Sequence, residues 1–318
     1  MRRVHRKKRK SPVSKLIIIF VLTIMIALVT GIGEKTYNFI KDSSTLINPM
    51  KLSGNSYFSD IKLYSPHAIL VELNNRRTLM ECRSEERIYP ASLTKMMTAI
   101  VAIENVKNLR QPVTLPRGIF HDLYTENASM AGFLPNEQVS AEDLLYGIML
   151  PSGADASIGL SIYTAGSETK FVEIMNSKAK ELGMKHTHFT NVCGLQDANH
   201  YSTVKDLSVL LAYALKNSTF RRIFTSTKHY IPATNMHPSG ITVYSTMFKS
   251  AGTGRFNGGR LLGGKTGYTE EAGLCLASLA EKNGKEYILV TAGAEGDHKT
   301  KQYDILDALN VYGKIKKE

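Results

Sequence analysis

A serine and a lysine three residues apart, Ser92 and Lys95, have the types and the spacing needed for nucleophilic catalysis. They follow Pro90 in a segment whose apolar residues recur at helical spacing, so they are predicted to lie one turn apart on one helix face. A serine hydroxyl becomes a good nucleophile only when a neighbouring base removes its proton. A lysine amine can be that base when burial or nearby positive charge lowers its pKa. The pattern S-x-x-K alone is a weak signal, since a helix-capping serine and a solvated lysine also fit it.

Two segments further along the chain carry groups that complement this pair. Ser152 lies in the sequence PSGADA, at a predicted break between two helices, where its side chain can face a cleft. Lys265 and Thr266 lie in GGKTGYT, just before a predicted strand. The lysine charge and the threonine hydroxyl suit a carboxylate, and the glycines allow a ligand or another backbone to approach closely. Together the three segments predict a serine hydrolase with an anionic substrate.

The order of these segments, with 60 and then 113 residues between their key side chains, resembles the serine D-alanyl-D-alanine carboxypeptidases. These are low-molecular-mass penicillin-binding proteins, the peptidase S11 family. Flanking sequence agrees in PASLTKMMTA, EDLLYGIMLPSGADAS, GGKTGYTEEAG and the stretch from Gly194 to Thr203. The resemblance covers about residues 65–310. It implies an α/β (α+β) fold of the β-lactamase/transpeptidase-like type, with an antiparallel sheet flanked by helices and a helical subdomain.

The resemblance also implies a reaction. Ser92 is expected to form an acyl-enzyme with the penultimate D-alanine of a peptidoglycan stem pentapeptide, with Lys95 as its general base. Ser152 is expected to relay a proton to the leaving amine. β-Lactam antibiotics are expected to acylate Ser92 as inhibitors, because their strained amide resembles the D-Ala-D-Ala bond. Neither a metal nor a cofactor is expected to take part.

Four consecutive residues are expected to bind the substrate: Lys265, Thr266, Gly267 and Tyr268. The first two are expected to steer and hold the terminal carboxylate. The backbone N–H groups of Ser92 and Tyr268 are expected to form the oxyanion hole, at the point where negative charge develops.

One position departs from the family pattern. The second motif usually ends in asparagine two residues after its serine, and here that position is Ala154. An alanine cannot replace the hydrogen bonds of the amide, so slower or altered turnover is expected, with Asp155 or a water as a speculative substitute. Two alternatives therefore stay open, a β-lactamase and a non-catalytic penicillin- or peptidoglycan-binding module. A role in glycopeptide resistance also stays open.

The periodicity predicts strands at both ends of the body and helices between them. This pattern suits one sheet built from both chain ends, with a helical insertion. The strands are predicted at 66–73, 78–82, 241–244, 274–281 and 286–292, with a hairpin turn at Asn283-Gly284. Helices are predicted to begin at Ala141, Ala154, Ser167 and Ser202, and a last one covers 300–314.

The basic charge of the 318-residue chain belongs mainly to its first residues. The formal net charge is +12, but residues 1–15 hold eight lysines or arginines and no acid, and the rest has 32 basic and 28 acidic residues. Residues 16–33 are uncharged and long enough to span a bilayer, which favours a membrane anchor with the N-terminus in the cytoplasm over a nucleic-acid-binding tail. A cleaved signal peptide is the alternative. Residues 34–60 are predicted to be a stalk and 61–318 an extracytoplasmic catalytic domain.

Cysteine and histidine usage adds little to this interpretation. The three cysteines, Cys82, Cys193 and Cys275, allow at most one disulfide and have no metal-ligand spacing. His186 and His188 could begin a zinc site, but no further ligand cluster accompanies them.

Overall fold

A computed structural model describes residues 53–54, 58–126 and 128–316. The predicted basic tail at 1–15 and the predicted anchor at 16–33 lie outside these residues. Among the residues described, no helix is both long and apolar enough to cross a membrane.

A seven-stranded antiparallel sheet is the centre of the described part, in the order β1-β3-β2-β11-β10-β9-β8. Its strands are β1 (Ser53–Gly54), β2 (His67–Glu72), β3 (Arg77–Cys82), β8 (Arg255–Phe256), β9 (Gly259–Thr269), β10 (Gly273–Lys282) and β11 (Lys285–Ala294). Two two-stranded sheets lie apart from it, β4 (Pro112–Thr114) with β5 (Gln138–Ser140), and β6 (Lys228–Ile231) with β7 (Ile241–Tyr244). Strands from both chain ends meet where β2 pairs with β11, which confirms the predicted fold class.

Helices fill the middle of the chain and its end. They are α1 (Lys95–Asn105), α2 (Ile119–Thr125), α3 (Ala141–Met149), α4 (Ala154–Ala165), α5 (Glu168–Glu181), α6 (Val204–Ala214), α7 (Ser218–Phe224), α8 (Thr246–Ala251) and α9 (Tyr303–Lys314). The predicted helix starts at α3, α5 and α6 are capped by the hydroxyls of Ser140, Ser167 and Thr203, each accepting an N–H three residues on. Helix α1 is buried over most of its length, and this burial fixes the position of the residues immediately before Lys95.

The hairpin of β10 and β11 turns at the predicted position. Asn283 and Gly284 both have positive φ, 53° and 77°, as a two-residue turn of this kind requires. The predicted strand at Ile241–Tyr244 also forms, but it pairs with β6 rather than joining the central sheet.

The third motif lies inside strand β9, whereas the sequence placed it just before a strand. Glycine is unfavourable in strands, so a segment with several glycines predicts a loop. Here the missing side chains permit close packing. A Cβ at Gly263 would lie 2.4 Å from the carbonyl oxygen of Phe224, and one at Gly264 would lie 2.2 Å from the sulfur of Met247.

The sheet reaches into the range predicted as a stalk. Strand β1 pairs with β3, with Ser53 opposite Glu81, and Phe58 is buried. Part of the segment 34–60 therefore belongs to the folded body.

Candidate active site

Ser92 lies in a 3-10 turn, Ala91–Thr94, that leads directly into α1. The turn follows Pro90, whose carbonyl accepts a hydrogen bond from the N–H of Leu93 at 3.0 Å. Leu93 is fully buried, so the turn is anchored on both sides of the serine. The predicted helix after Pro90 is present, with this tighter first turn.

Lys95 is held against Ser92 in the interior of the protein. Its Nζ donates to Ser92 Oγ at 3.1 Å and to the carbonyl oxygen of Cys193 at 2.8 Å. The residue is only 2% exposed, and this burial lowers the pKa of the amine. A neutral amine has one lone pair. With one N–H engaged by the Cys193 carbonyl, that lone pair is free to accept the Ser92 proton.

A second serine–lysine pair lies beside the first. Lys265 Nζ donates to Ser152 Oγ at 2.9 Å and to the carbonyl oxygen of Thr266 at 2.6 Å. Burial lowers the pKa of Lys265 well below its ordinary value, and the charge of Lys95 lowers it further. Ser152 itself has φ 68°, a conformation that a non-glycine residue adopts only at a cost. This backbone directs its hydroxyl onto Lys265.

Strand β9 packs a glycine against the backbone of Ser92. A Cβ added to Gly267 would lie 3.0 Å from the nitrogen of Ser92, so the strand and the turn are in close contact here. On the other side, Thr266 Oγ1 lies 2.7 Å from Thr246 Oγ1 at the start of α8. Tyr268 follows, paired with Leu274 in β10, and its ring meets His298 edge-on with centroids 5.0 Å apart.

These residues surround one cleft with two lobes, of about 540 Å³ and about 290 Å³. Four residues line both lobes: Ser92, Ser129, Tyr268 and His298. Lys95 lines the larger lobe, and Ser152, Thr266 and Gly267 line the smaller. Lys265 is fully buried and lines neither lobe, and it contacts the lining residues Ser152 and Thr266 from behind.

Several residues of the cleft had no signal in the sequence. Ser129 and Thr246 lie in segments whose placement depends on the tertiary fold. His298 lies in the loop after strand β11, lines both lobes and contacts the ring of Tyr268.

Ala154 lines the larger lobe, at the point where the family pattern has an amide. The neighbouring Asp155 does not replace that amide. Its carboxylate accepts backbone N–H groups at 2.9–3.2 Å from four residues: Ala131, Gly132, Phe133 and Ala156. It therefore anchors the loop beside the cleft.

The remaining candidates from the sequence lie elsewhere. The three cysteines are buried and no disulfide joins them. His188 Nδ1 contacts the carbonyl of Asn199, and the backbone N–H of His186 donates to Asp206. No group of three or more potential metal ligands occurs in the described residues.

With this geometry established, the chain can be compared with known proteins. The sequence profile of the peptidase S11 family, D-alanyl-D-alanine carboxypeptidase, matches residues 55–296. The chain belongs to this family. The resemblance to this family that was inferred from the three motifs is confirmed.

Among curated relatives, the chain is 30% identical over 236 residues to D-alanyl-D-alanine carboxypeptidase DacF of Bacillus subtilis, covering 74% of this chain and 59% of DacF. It is 34% identical over 218 residues to the D-alanyl-D-alanine carboxypeptidase of Streptomyces sp. K15, covering 66% and 74%. Against DacC of Escherichia coli the identity is 31%, covering 72% and 56%. The chain thus spans less than two thirds of DacF and DacC.

Solved structures give the same family. The Streptomyces K15 DD-transpeptidase superposes with a TM-score of 0.71 at 28% identity, covering 80% of this chain and 98% of that one. A D-alanyl-D-alanine carboxypeptidase of Mycobacterium tuberculosis, at 23% identity and a TM-score of 0.67, shares the fold.

Gly194→Ala is expected to destabilise the protein and displace the nucleophile. Gly194 has φ 80°, and a Cβ there would lie 1.8 Å from the carbonyl oxygen of Ala91, next to Ser92. Gly166→Ala is the matched control, since φ is 83° but nothing lies within 4 Å of its Cβ. Gly194→Ala should cost about 1–3 kcal/mol more than the control in urea unfolding, because of the added overpacking. Equal losses would contradict the close contact.

His200 is expected to make stability depend on pH. It is 2% exposed, accepts at Nδ1 from the N–H of Thr190 (3.0 Å) and donates from Nε2 to Thr94 Oγ1 (2.7 Å), so it is neutral. Burial lowers its pKa from 6.5 to about 4.

Between these two values the unfolded chain binds more protons than the folded one. The contribution of His200 to the free energy of unfolding is therefore fully present above the unfolded pKa of 6.5. It falls by about 3 kcal/mol as the pH falls towards 4. Urea unfolding across this range measures it. His200→Gln should flatten the dependence, whereas the exposed His121→Gln should keep it, and the reverse result would exclude His200 as the source.

Proposed function

We propose that this protein is a serine D-Ala-D-Ala carboxypeptidase that removes the terminal D-alanine from peptidoglycan stem pentapeptides and is acylated by β-lactams. The observation that carries the proposal is the 3.1 Å contact of Lys95 Nζ with Ser92 Oγ inside the cleft. Burial lowers the pKa of the Lys95 amine and so favours the neutral form that a general base needs. Family membership supports the substrate class.

In the acylation step, Lys95 Nζ takes the proton of Ser92 as Oγ bonds to the carbonyl carbon of the penultimate D-alanine. The oxyanion is stabilised by the N–H groups of Ser92 and Tyr268. The packing of Gly267 against the nitrogen of Ser92 supports this arrangement, because it brings strand β9 next to that N–H.

The tetrahedral adduct collapses as its C–N bond breaks, and the leaving nitrogen takes, through Ser152, the proton that Lys95 removed from Ser92, which leaves Lys95 neutral again. Lys265 donates to Ser152 Oγ, so the hydroxyl proton of Ser152 is left to point at another acceptor. Water then attacks the ester and gives a proton to Lys95, and Lys95 passes this proton to Ser92 Oγ as the acyl C–O bond breaks and the shortened peptide leaves.

Thr266 and the basic side chains around it are proposed to hold the substrate carboxylate. Thr266 lines the smaller lobe together with Lys249 and His298. Lys265 contributes from behind the strand. An anion bound beside Thr266 favours its protonated form and thereby offsets the effect of burial.

The alanine at 154 leaves one hydrogen bond to the substrate unmade. Such a loss typically costs about 1–3 kcal/mol, so turnover is expected to be slower than in relatives that carry the amide. The assay must therefore also be able to detect the alternative, a module that binds the substrate but turns it over very little.

The test is D-alanine release from a synthetic stem pentapeptide by the full-length chain, with and without an amine acceptor. Release without acceptor is the predicted result. Transfer to the acceptor is the second candidate, favoured by the likeness to the Streptomyces K15 DD-transpeptidase. Binding of the peptide with neither product would contradict both, and rapid hydrolysis of penicillin would instead favour a β-lactamase.

We also propose a location for this reaction. Residues 16–33 would anchor the chain in the cell membrane, residues 1–15 would stay in the cytoplasm, and the catalytic domain would face the cell wall. The support is the uncharged segment and the eight basic residues before it. The catalytic domain would begin within the range 34–60, since β1 and Phe58 pack with it.

A further inference from the structure

The carbonyl that holds Lys95 belongs to a loop, residues 191–195, which joins the chain after α5 to the approach of α6. Cys193 O lies 2.8 Å from Lys95 Nζ. A carbonyl bonded to one N–H of the amine decides where its lone pair points. The position of Cys193 O therefore matters as much as that of Lys95.

One side chain organises the backbone of this loop. Asn191 Oδ1 accepts three consecutive N–H groups, from Cys193 at 3.1 Å, Gly194 at 2.7 Å and Leu195 at 3.1 Å. Its Nδ2 donates to the carbonyl of Leu195 at 3.0 Å. The amide thus ties both ends of the loop to one point.

Val192, the residue between Asn191 and Cys193, is held by side chains from two helices, α1 and α5. The N–H of Val192 donates to Glu168 Oε1 at 3.1 Å, and the carbonyl of Val192 accepts from Thr98 Oγ1 at 2.7 Å. Thr98 lies one turn after Lys95 in α1. With Val192 held in this way, the next peptide directs the carbonyl of Cys193 onto the lysine.

We propose that Asn191 is a positioning residue for the general base: it fixes the carbonyl of Cys193 on Lys95 Nζ and so aims the amine lone pair at Ser92. The proposal rests on the proposed acyl-enzyme reaction. Among the described residues that line the cleft, Asn191 is absent. It therefore acts through Cys193 and not on the substrate.

Other titratable groups around Lys95 are left unchanged by the test. The Cys193 thiol and Asp155 of α4 both raise the pKa of Lys95, and charge on Lys95 in turn lowers the pKa of Lys265 in β9 and of His200. Because they remain in every variant, differences between variants report the loop.

The experiment measures the rate of acylation of the full-length chain by a fluorescent penicillin as a function of pH. On the alkaline side Lys95 is neutral, so the maximal rate there depends on how its amine is placed relative to Ser92 and not on its protonation. Asn191→Ala removes the acceptor and should lower this maximum roughly 10- to 100-fold, the loss expected for a misplaced base. Asn191→Asp keeps an acceptor oxygen and should restore the maximum to within about twofold. Its added charge should shift the acid limb to higher pH.

Asn176→Ala is the matched control. Asn176 holds the same segment two residues earlier, through its bonds to the N–H and carbonyl of Phe189 at 2.9 Å and 2.8 Å. It should lower thermal stability much as Asn191→Ala does, and leave the maximal acylation rate unchanged.

The outcomes distinguish a failure of the proposed function from a failure of the proposed role of Asn191. Wild type that is never acylated overturns the proposed function and this inference with it. Acylated wild type with an unchanged maximum in Asn191→Ala, or an equal fall in Asn176→Ala, overturns the role of Asn191 alone. Should Asn191→Ala fail to fold, Asn191→Asp decides, because a lost maximum there contradicts the proposal and a retained one supports it.

Discussion

Ser92→Ala is expected to abolish covalent labelling by penicillin and to lower D-alanine release by at least about 10³-fold. The variant removes only the oxygen that forms the ester. The turn around it is held by Pro90 and by the buried Leu93, so the fold should persist. Labelling is measured on denatured protein, where only a covalent adduct survives.

The control is Ser177→Ala, which removes a serine hydroxyl from the exposed face of α5, where it bonds the carbonyl of Glu173. It should be labelled like wild type. Undiminished D-alanine release by Ser92→Ala would show that the chemistry depends on another group.

Lys95→Arg is expected to lower acylation by about 10²- to 10⁴-fold, the usual contribution of a general base. Arginine keeps the positive charge and much of the length of lysine, but it cannot give up its proton at physiological pH. Charge alone therefore cannot rescue the reaction. The measurement is the second-order rate constant of acylation, and the exposed Lys228→Arg is the control.

The pH dependence of the wild type follows from the same amine. Acylation needs neutral Lys95, so its rate should rise with pH through the pKa of this lysine. Burial lowers that pKa, so the rise should come below the range of an exposed lysine. A rate independent of pH, or an active Lys95→Arg variant, would contradict Lys95 as the base.

The sequence predicted those parts of the site that depend on local pattern. Pro90 and the apolar spacing placed Ser92 and Lys95 one turn apart, and the structure has this arrangement. The hairpin at Asn283-Gly284 and the capped helix starts were likewise local signals. Such features follow from backbone preferences of a few neighbouring residues, so one sequence is enough to find them.

Other parts of the site could not be read from the sequence. A backbone carbonyl such as that of Cys193 has no residue type to reveal it, and the N–H groups bound by Asn191 become visible only with the fold. The glycine-rich third motif was not predicted to lie within a strand. The close contacts that require glycine in β9 come from segments distant in sequence, so they become visible only in the fold. The full burial of Lys265 was also unexpected for a residue predicted to meet the substrate directly.

The anchor and the boundary of the catalytic domain stay predictions. The segment 16–33 lies outside the described residues. Membrane association of the full-length chain, compared with a chain carrying several charges within 16–33, would test it.

Ser92, Lys95 and Ser152 line one cleft, and we propose that Lys95 activates Ser92 there. The most direct test is mass spectrometry of the intact full-length chain after reaction with penicillin, followed by mapping of the modified peptide. One penicilloyl adduct per chain is expected, located on Ser92, with none in Lys95→Arg at equal time. An adduct on another residue, or no adduct at saturating penicillin, would contradict it.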